Sequence, residues 1–203
     1  MKKFPQRTIS RALVYIRTLA QLLESRKEVV SSSQLALITG LSDVQIRKDI
    51  SNFGKVGRPR IGYRTAELKQ VLENYILQNI VHAVLFGVGN LGSALLKYPG
   101  FHQDKVKLVA AFDTDKKKIG TEINGVSIYS ISEAQKIIAS SHVEIGIIAV
   151  PVEYSQKVAD IIIKSGLKGI VNFTPTTVTV PKEIIVKNID LTIEFLSLFC
   201  DIQ

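Results

Sequence analysis

The sequence has few of the residues on which disulfides and metal centres depend. It contains one cysteine, Cys200, and three histidines, His82, His102 and His142, among 203 residues. A single cysteine excludes an intrachain disulfide, and the histidines lack the spacing of metal ligands, so we predict neither a disulfide nor a bound metal.

Long apolar runs are also absent from the sequence. No run approaches the roughly 20 residues of a membrane span. The basic N-terminus MKKFPQRTIS leads into a helical pattern without the apolar core of a signal peptide. The composition therefore predicts a soluble globular protein of the cytoplasm that does not bind a membrane.

The excess of positive over negative charge is confined to the first part of the chain. The formal net charge is +8; residues 1–80 contain 14 Lys and Arg against 6 Asp and Glu, whereas residues 81–203 contain 12 of each class. A basic segment followed by a neutral one predicts a module that binds a polyanion and a module that binds a small ligand. On composition alone, a basic face that is merely solvated stays the alternative.

The stretch VHAVLFGVGNLGSALLK, residues 81–97, predicts a strand, a glycine turn and a helix. Gly87 allows the backbone to reverse, Gly89 allows a pyrophosphate to approach, and Gly92 allows the helix to pack on the strand. Free N–H groups at the helix start then face the phosphates. The predicted dinucleotide contacts in this turn are Gly87, Val88, Gly89, Asn90, Leu91 and Gly92.

A second apolar run, residues 106–112, ends in Asp113, which lies 21 positions after Gly92. A carboxylate at this point can accept hydrogen bonds from both ribose hydroxyls of an adenosine, and it repels a 2′-phosphate. The spacing favours NAD(H) over NADP(H). The lysines at 116–118 are the feature that opposes this prediction.

Apolar runs alternate with helical patterns throughout the second part of the chain, as βαβ units require. The pattern predicts an α/β fold with an open, mostly parallel sheet of Rossmann type, which binds ligands at the carboxyl ends of its strands. The strand ends add Val150, Pro151, Asn172 and Phe173 to the predicted cofactor contacts. The predicted strands are 81–86, 106–112, 125–129, 144–150 and 169–172, and the predicted helices are 91–97, 132–139 and 153–165.

The first part of the chain has the pattern of a helix-turn-helix. A helix over residues 10–23 has an apolar stripe that includes Leu13, and a short helix over residues 34–39 ends at Gly40. The next helix covers residues 43–52, and a further helix is predicted from residue 66 to about residue 77. Two short helices joined by a tight turn that contains glycine are typical of DNA-binding proteins.

Helix 43–52 is the predicted recognition helix. Ser42 and Gln45 form a predicted capping box at its start, and we expect Val44, Ile46 and Ile50 to pack inward. In this motif the second helix enters the major groove and presents exposed side chains to base edges and phosphates. The predicted DNA contacts on this helix are Gln45, Arg47, Lys48 and Ser51.

Residues 53–63, with three glycines and a proline among basic and apolar residues, predict a two-stranded hairpin. Such a hairpin is the wing of a winged helix, and its Lys55, Arg58 and Arg60 would reach phosphates or the minor groove. Arg11, on the first helix, completes the predicted DNA contacts. An ordinary solvated turn is the alternative.

The chain ends with residues 188–203, which we predict to form a helix outside any βαβ unit. Its Leu191, Phe195, Leu196 and Phe199 form an apolar stripe that must be buried on its own sheet or on another subunit. The predicted organisation is therefore a winged helix-turn-helix domain at 1–79, a Rossmann domain at 80–187 and a separate C-terminal helix at 188–203.

Motifs along nearly the whole chain resemble those of one known family, the redox-sensing transcriptional repressors called Rex. In chain order they are ISR at 9–11, SSQLA at 32–36, VQIRKDI at 44–50, GVGNLG at 87–92, YPGF at 98–101, AFDTDKKKIG at 111–120, IAVP at 148–151, NFTP at 172–175 and NIDL at 188–191.

The resemblance implies a homodimer whose two winged helices read a palindromic operator and whose Rossmann domains bind NADH or NAD⁺. It implies that NADH binding releases the DNA and that the C-terminal helix is exchanged between subunits. It further implies that Tyr98 approaches the nicotinamide, and that Asp190 switches partners between Tyr98 and Arg17 as the cofactor is reduced. The implied protein is a regulator with no catalytic residue.

Two other functions compete with this interpretation. One is an NAD-dependent dehydrogenase with a small basic domain, but the chain after Gly169 is short for a substrate domain, and no His, Lys or Cys lies in a proton-transfer constellation. The other is a protein of related fold that binds coenzyme A, which needs the same glycine turn but has no special need of Asp113.

Overall fold

The chain folds into two units, Met1–Asn79 and Ile80–Gln203, and each has its own hydrophobic core. The computed structural model describes residues 4–76, 78–103 and 105–203. Within these ranges no helix is long and apolar enough to cross a membrane. The same residues include no cluster of three or more His, Cys, Asp or Glu that could hold a metal ion.

The first unit is a set of helices closed by a short two-stranded sheet. Its core contains Tyr15 and Leu19 from the first helix, Ile46 and Phe53 around the third, and Leu72 from the fourth. The helix predicted from residue 66 to about residue 77 would end at Leu77, and this residue lies outside the described residues. The elements are α1 (Gln6–Glu24), β1 (Val29–Val30), α2 (Ser32–Thr39), α3 (Asp43–Asn52), β2 (Tyr63–Arg64) and α4 (Thr65–Ile76).

The helix-turn-helix formed by α2 and α3 is held by its caps. Gly40 ends α2 in the left-handed conformation, as predicted, with φ +70°. The complete capping box is Ser31 with Gln34, at the start of α2. The capping box predicted at Ser42 is half formed: Ser42 Oγ accepts from the Gln45 N–H, but the Gln45 side chain bonds elsewhere.

Two inward orientations predicted from periodicity are wrong. Val44 is 63% exposed, because the buried face of α3 is centred on Ile46 and Ile50, and a residue two positions from Ile46 lies on the other side of a helix. Leu13 is 42% exposed, because α1 buries the neighbouring stripe that includes Tyr15.

The two-stranded hairpin predicted over residues 53–63 is reduced to one antiparallel bridge. Strand β2 pairs with β1, which precedes α2, and within the loop one bridge joins Arg58 to Gly62. Positive φ angles at Gly54 and Gly57 take the chain out of the extended conformation. A Cβ at Gly62 would meet the Val30 carbonyl oxygen, so this glycine lets the loop approach β1. We call residues 54–62 the basic loop.

The second unit is a seven-stranded sheet in which all strands are parallel except one at the edge. The strands are β3 (Val81–Phe86), β4 (Val106–Asp113), β5 (Glu122–Ile123), β6 (Val126–Ser130), β7 (Ile145–Ile148), β8 (Gly169–Asn172) and β9 (Ile185–Asn188). The order across the sheet is β5-β6-β4-β3-β7-β8-β9. The strand order therefore reverses between β3 and β7, which is where such sheets bind ligands.

Helices cover both faces of this sheet, and they are α5 (Asn90–Leu96), α6 (Pro99–Gln103), α7 (Ala134–Ala139) and α8 (Ser155–Lys164). A last helix, α9 (Leu191–Ile202), follows β9 and buries none of its residues. Alternate strand residues point to opposite faces: Val84 and Phe86 pack in one cluster with α7 and α8, whereas Ala83 and Leu85 pack in the other with Leu96 of α5.

The predicted strands and helices of this unit are confirmed with small shifts at their ends, and three short elements, β5, α6 and β9, were missed. Strand β9 also corrects the C-terminal helix, which begins at Leu191 and not at residue 188. The side chain of Asn188 in β9 accepts a hydrogen bond from Asn172 at the end of β8.

Candidate functional site

The glycine turn after β3 needs its three glycines for three different reasons. Gly87 has φ +93°, and a Cβ there would meet the carbonyl oxygen of Ala149 after β7. A Cβ at Gly92 would overlap the carbonyl oxygen of Gly87. Gly89 caps α5 and has no atom within 4 Å of the position its Cβ would take. Gly87 and Gly92 are therefore required by the fold, whereas Gly89 leaves open space for a ligand.

The carboxylate of Asp113 holds this turn. Its Oδ2 accepts a hydrogen bond from the Val88 N–H at 2.8 Å, and its Oδ1 accepts from the N–H groups of Thr114 at 2.7 Å and Asp115 at 2.9 Å. Lys118 Nζ lies 3.4 Å from Oδ2. The sequence predicted a ligand role for Asp113 and gave no sign of this structural role.

The protonation of Asp113 follows from these contacts. Burial raises the pKa of its carboxyl, but the backbone N–H groups of Asp115 and Val88 and the charge of Lys118 lower it by more. The net pKa lies below the usual value for aspartate, so Asp113 is ionised at neutral pH. The site therefore presents a fixed negative charge beside one lysine.

A cavity of about 380 Å³ opens at the carboxyl ends of β3, β4 and β7, within the range of ligand pockets. Its lining combines the charged side chains of Asp113 and Lys118 with several apolar side chains. The cavity brings together five of the predicted cofactor contacts: Gly87, Gly89, Asp113, Val150 and Pro151. It also includes residues that no motif indicated, because they lie before α7, immediately before α8 or in α8: Ile131, Tyr154, Lys157, Val158 and Ile161.

The other predicted cofactor contacts do not line this cavity. Val88 is buried beneath the turn, and Asn90 and Leu91 are exposed at the start of α5. Asn172 is fully buried, and its side chain is bonded to Thr174 and to the carbonyl oxygen of Thr176, among others. Phe173 packs in the core cluster on the α5 side.

The predicted switch residues belong to different elements. Tyr98 is 47% exposed beyond α5, with its ring edge-on to Phe101 at a centroid distance of 5.2 Å. Asp190 caps α9, where Oδ1 accepts hydrogen bonds from the N–H groups of Thr192 and Ile193. Arg17 lies on α1, in the first unit.

In the first unit a second buried carboxylate, Asp49, joins α3 to α1. Asp49 is 1% exposed. Its Oδ2 accepts from Arg11 Nε at 2.6 Å and from the Tyr15 hydroxyl at 2.8 Å, and its Oδ1 accepts from Arg11 Nη2 at 2.8 Å and Gln45 Nε2 at 2.9 Å. Two of the predicted DNA contacts, Arg11 and Gln45, are thus bonded to Asp49.

The charges in this network stabilise each other. Burial raises the pKa of Asp49, but hydrogen bonds from Arg11, Tyr15 and Gln45 lower it by more, so its net pKa lies below the usual value. The hydrogen bond from Arg11 to Asp49 raises the pKa of Arg11, and burial together with the separate hydrogen bond from Tyr15 to Asp49 raises the pKa of Tyr15. The network therefore holds an ionised pair with a neutral phenol.

Five other predicted DNA contacts line one open groove of about 830 Å³ between α3 and the basic loop. Arg47 lies on its helical side, where Nη1 donates to Ser32 Oγ at 3.1 Å and contacts Asp43 Oδ2. Lys48 is exposed on α3 outside this lining. The five are Arg47, Ser51, Lys55, Arg58 and Arg60.

Two family models match the chain. The model described as "CoA binding domain" matches residues 78–176, and the model described as "Putative DNA-binding protein N-terminus" matches residues 3–51. Curated proteins named redox-sensing transcriptional repressor Rex are similar along almost the entire chain. The one from Carboxydothermus hydrogenoformans is 42% identical over 94% of this chain and 92% of its own length. The one from Syntrophomonas wolfei is 36% identical over 97% of this chain and 95% of its own length.

Solved structures of RSP, a Rex-family repressor, are similar to the whole chain. RSP in complex with β-NAD⁺ and operator DNA has a TM-score of 0.89 at 29% identity, covering 100% of this chain and 94% of that one. RSP in complex with β-NADH has a TM-score of 0.87 at 28% identity, and the match covers 100% of this chain and 95% of that one.

The different surroundings of Gly89 and Gly92 generate a first prediction. Gly89→Ala should leave the thermal midpoint nearly unchanged and weaken dinucleotide binding about tenfold or more, because its methyl group enters only the open space of the turn. Gly92→Ala is the matched control: its methyl group has no room, so we expect a lower thermal midpoint. Calorimetric titration with NADH and thermal unfolding measure both effects, and equal NADH affinity of Gly89→Ala and the wild type would contradict this site.

A second prediction concerns acid stability. Because the folded-state pKa of Asp49 is lowered, its stabilising contribution is present above the unfolded-state pKa and is lost as the pH falls through the folded-state value. Asp49→Asn should therefore lower the free energy of unfolding by about 2 kcal/mol at neutral pH and reduce its dependence on pH below about pH 5. Urea titration followed by circular dichroism measures this, with Asp43→Asn as control, since Asp43 is a partly exposed carboxylate of the same helix whose ion-pair partner is Arg47. The same pH profile for Asp49→Asn and wild type would refute the prediction.

Proposed function

The chain belongs to the Rex family of redox-sensing transcriptional repressors, and from this premise we propose how its residues divide the work. It binds operator DNA through residues 1–79, binds NADH or NAD⁺ through residues 80–187, and releases the DNA when NADH is bound. The observation that carries the proposal is the groove lined by Arg47, Lys55, Arg58 and Arg60 on the same chain as the open glycine turn. Its relatives are named as repressors, and the protein is a regulator, not an enzyme.

Residues of the second unit fit the adenosine and pyrophosphate part of NAD(H). The N–H groups at the start of α5, next to Gly89, suit the pyrophosphate, and the cavity lined by Asp113, Ile131 and Ile161 suits the adenosine. The charge of Asp113 favours a free 2′-hydroxyl over a 2′-phosphate, although Lys118 offsets part of it. The other predicted contacts, Val88, Asn90, Leu91, Asn172 and Phe173, would act through their backbone or at the nicotinamide end.

The nicotinamide end is where the two redox states differ. NAD⁺ has one more positive charge on this ring than NADH, so a carboxylate near the ring can distinguish them. We assign this role to Asp190, with Tyr98 and Arg17 as its alternative partners. A ligand shifts a conformational equilibrium only by its difference in affinity for the two states, and about 1–3 kcal/mol is typical of such coupling.

Helix α9 supports a homodimer. Its large apolar side chains are each 57–74% exposed, and they are Leu191, Ile193, Phe195, Leu196, Leu198, Phe199 and Ile202. An apolar surface of this kind is removed from water when it is covered by another subunit. Helix α9 would dock on a second copy of the chain, and a cytoplasmic location follows for a protein that binds operator DNA.

A third prediction tests the proposed function. The probe is a duplex that the wild-type protein selects from a randomised pool in the absence of cofactor. In a gel shift, NADH should release this duplex at concentrations at which NAD⁺ and coenzyme A do not, and binding should weaken steeply as salt rises. Coenzyme A is included because the family model that matches the second unit is named for it. Release by coenzyme A alone would support the competing function, and failure to select any duplex would overturn DNA binding.

A fourth prediction tests the switch. Asp190→Asn keeps an oxygen that can cap α9 but removes the charge, so it should leave operator affinity within about twofold and reduce the release by NADH about tenfold. Anisotropy titrations of the labelled duplex at increasing NADH measure both quantities. Glu194→Gln, in the first turn of the same helix, is the control and should respond as the wild type does. Normal NADH sensitivity of Asp190→Asn would remove Asp190 from the switch.

A further inference from the structure

One apolar side chain lies on the exposed face of the recognition helix α3. Arg47 and Lys48 lie three and four residues after Val44, and Ser51 lies four and three residues after them, so the four residues form one stripe along the helix. All four are exposed, Val44 by 63%. The other three are polar, and Val44 is the member closest to the N-terminus of α3.

The neighbouring Gln45, expected from sequence to read bases, is directed elsewhere. Its amide Nε2 donates a hydrogen bond to Asp49 Oδ1 at 2.9 Å, and Asp49 is itself bonded to Arg11 and Tyr15 of α1. Gln45 is therefore held at the contact between α1 and α3. This leaves Val44 as the exposed side chain in the first turn of the stripe.

The position of Val44 indicates what it contacts. In a helix-turn-helix the N-terminal residues of the recognition helix meet base edges in the major groove. The apolar group that this groove displays is the C5-methyl group of thymine. A β-branched side chain on a helix keeps nearly one χ1 rotamer, so it loses little freedom on making such a contact.

We propose that Val44 is a specificity-determining residue that contacts the 5-methyl group of a thymine in the operator. The inference rests on the proposed role of α3 in DNA binding and adds the base that the helix reads. Lys48, one turn further along the same stripe, supplies the positive charge that holds this part of the helix near the duplex.

A double-mutant cycle between protein and DNA tests the proposal. The probe is again a duplex selected by the wild-type protein, in which each thymine is replaced by uracil, one position at a time, so that only the methyl group is lost. Dissociation constants come from fluorescence anisotropy without cofactor. At one thymine or more in each half-site, we expect loss of the methyl group to weaken wild-type binding about fourfold, the value of one buried methyl group. For Val44→Ala the same replacement should have little effect.

The control is Leu37→Ala, which removes an 86% exposed apolar side chain from α2 and should leave the thymine-to-uracil pattern of the wild type intact. Val44→Ala should also keep the wild-type salt dependence, since it removes no phosphate contact. A Val44→Ala effect that is equal for thymine and uracil at every position, or absent, would overturn the proposal. Failure of the wild type to select any duplex would instead overturn DNA binding itself, so the two failures are distinguishable.

Discussion

The nucleotide-binding end of the molecule depends on one hydrogen bond, donated by the Val88 N–H to the buried carboxylate of Asp113. This bond ties the turn after β3 to the end of β4, next to the point where the strand order reverses. With the turn held and Gly87 packed against the backbone after β7, Gly89 is left facing open space. The carboxylate of Asp113 thus has two roles. It accepts the hydrogen bonds that hold the turn, and it also lines the ligand cavity.

The first unit repeats this arrangement with Asp49. A buried carboxylate again accepts several hydrogen bonds, here from Arg11, Tyr15 and Gln45, and again fixes a functional element, the recognition helix α3. Because Arg11 and Gln45 are bonded to Asp49, we propose that the exposed face of α3 and the basic loop contact the DNA. Helix α1 also carries Arg17, so the helix that fixes α3 includes the residue we propose as one partner of the switch.

Local patterns were enough to predict much of this structure. Strand β3 and helix α3 have the predicted bounds, because apolar periodicity and glycine positions act over short distances along the chain. Some errors are local, such as the orientation of Val44, and others concern partners that are distant in sequence. Strand β2 pairs with β1 across α2 and α3, which the loop sequence does not reveal. The sequence did contain a signal for the role of Asp49, since this residue lies between the inward-facing Ile46 and Ile50, and a buried charge needs partners. No sequence signal identified Tyr15 as one of these partners.

The central claim is that the two binding functions of this chain are energetically coupled. Thermodynamic linkage requires the factor by which NADH weakens operator binding to equal the factor by which operator weakens NADH binding. The direct measurement is the dissociation constant of NADH with and without saturating operator duplex, beside that of the duplex with and without saturating NADH. We expect both affinities to weaken by the same factor, roughly 5- to 150-fold. An NADH affinity that operator DNA leaves unchanged would contradict it.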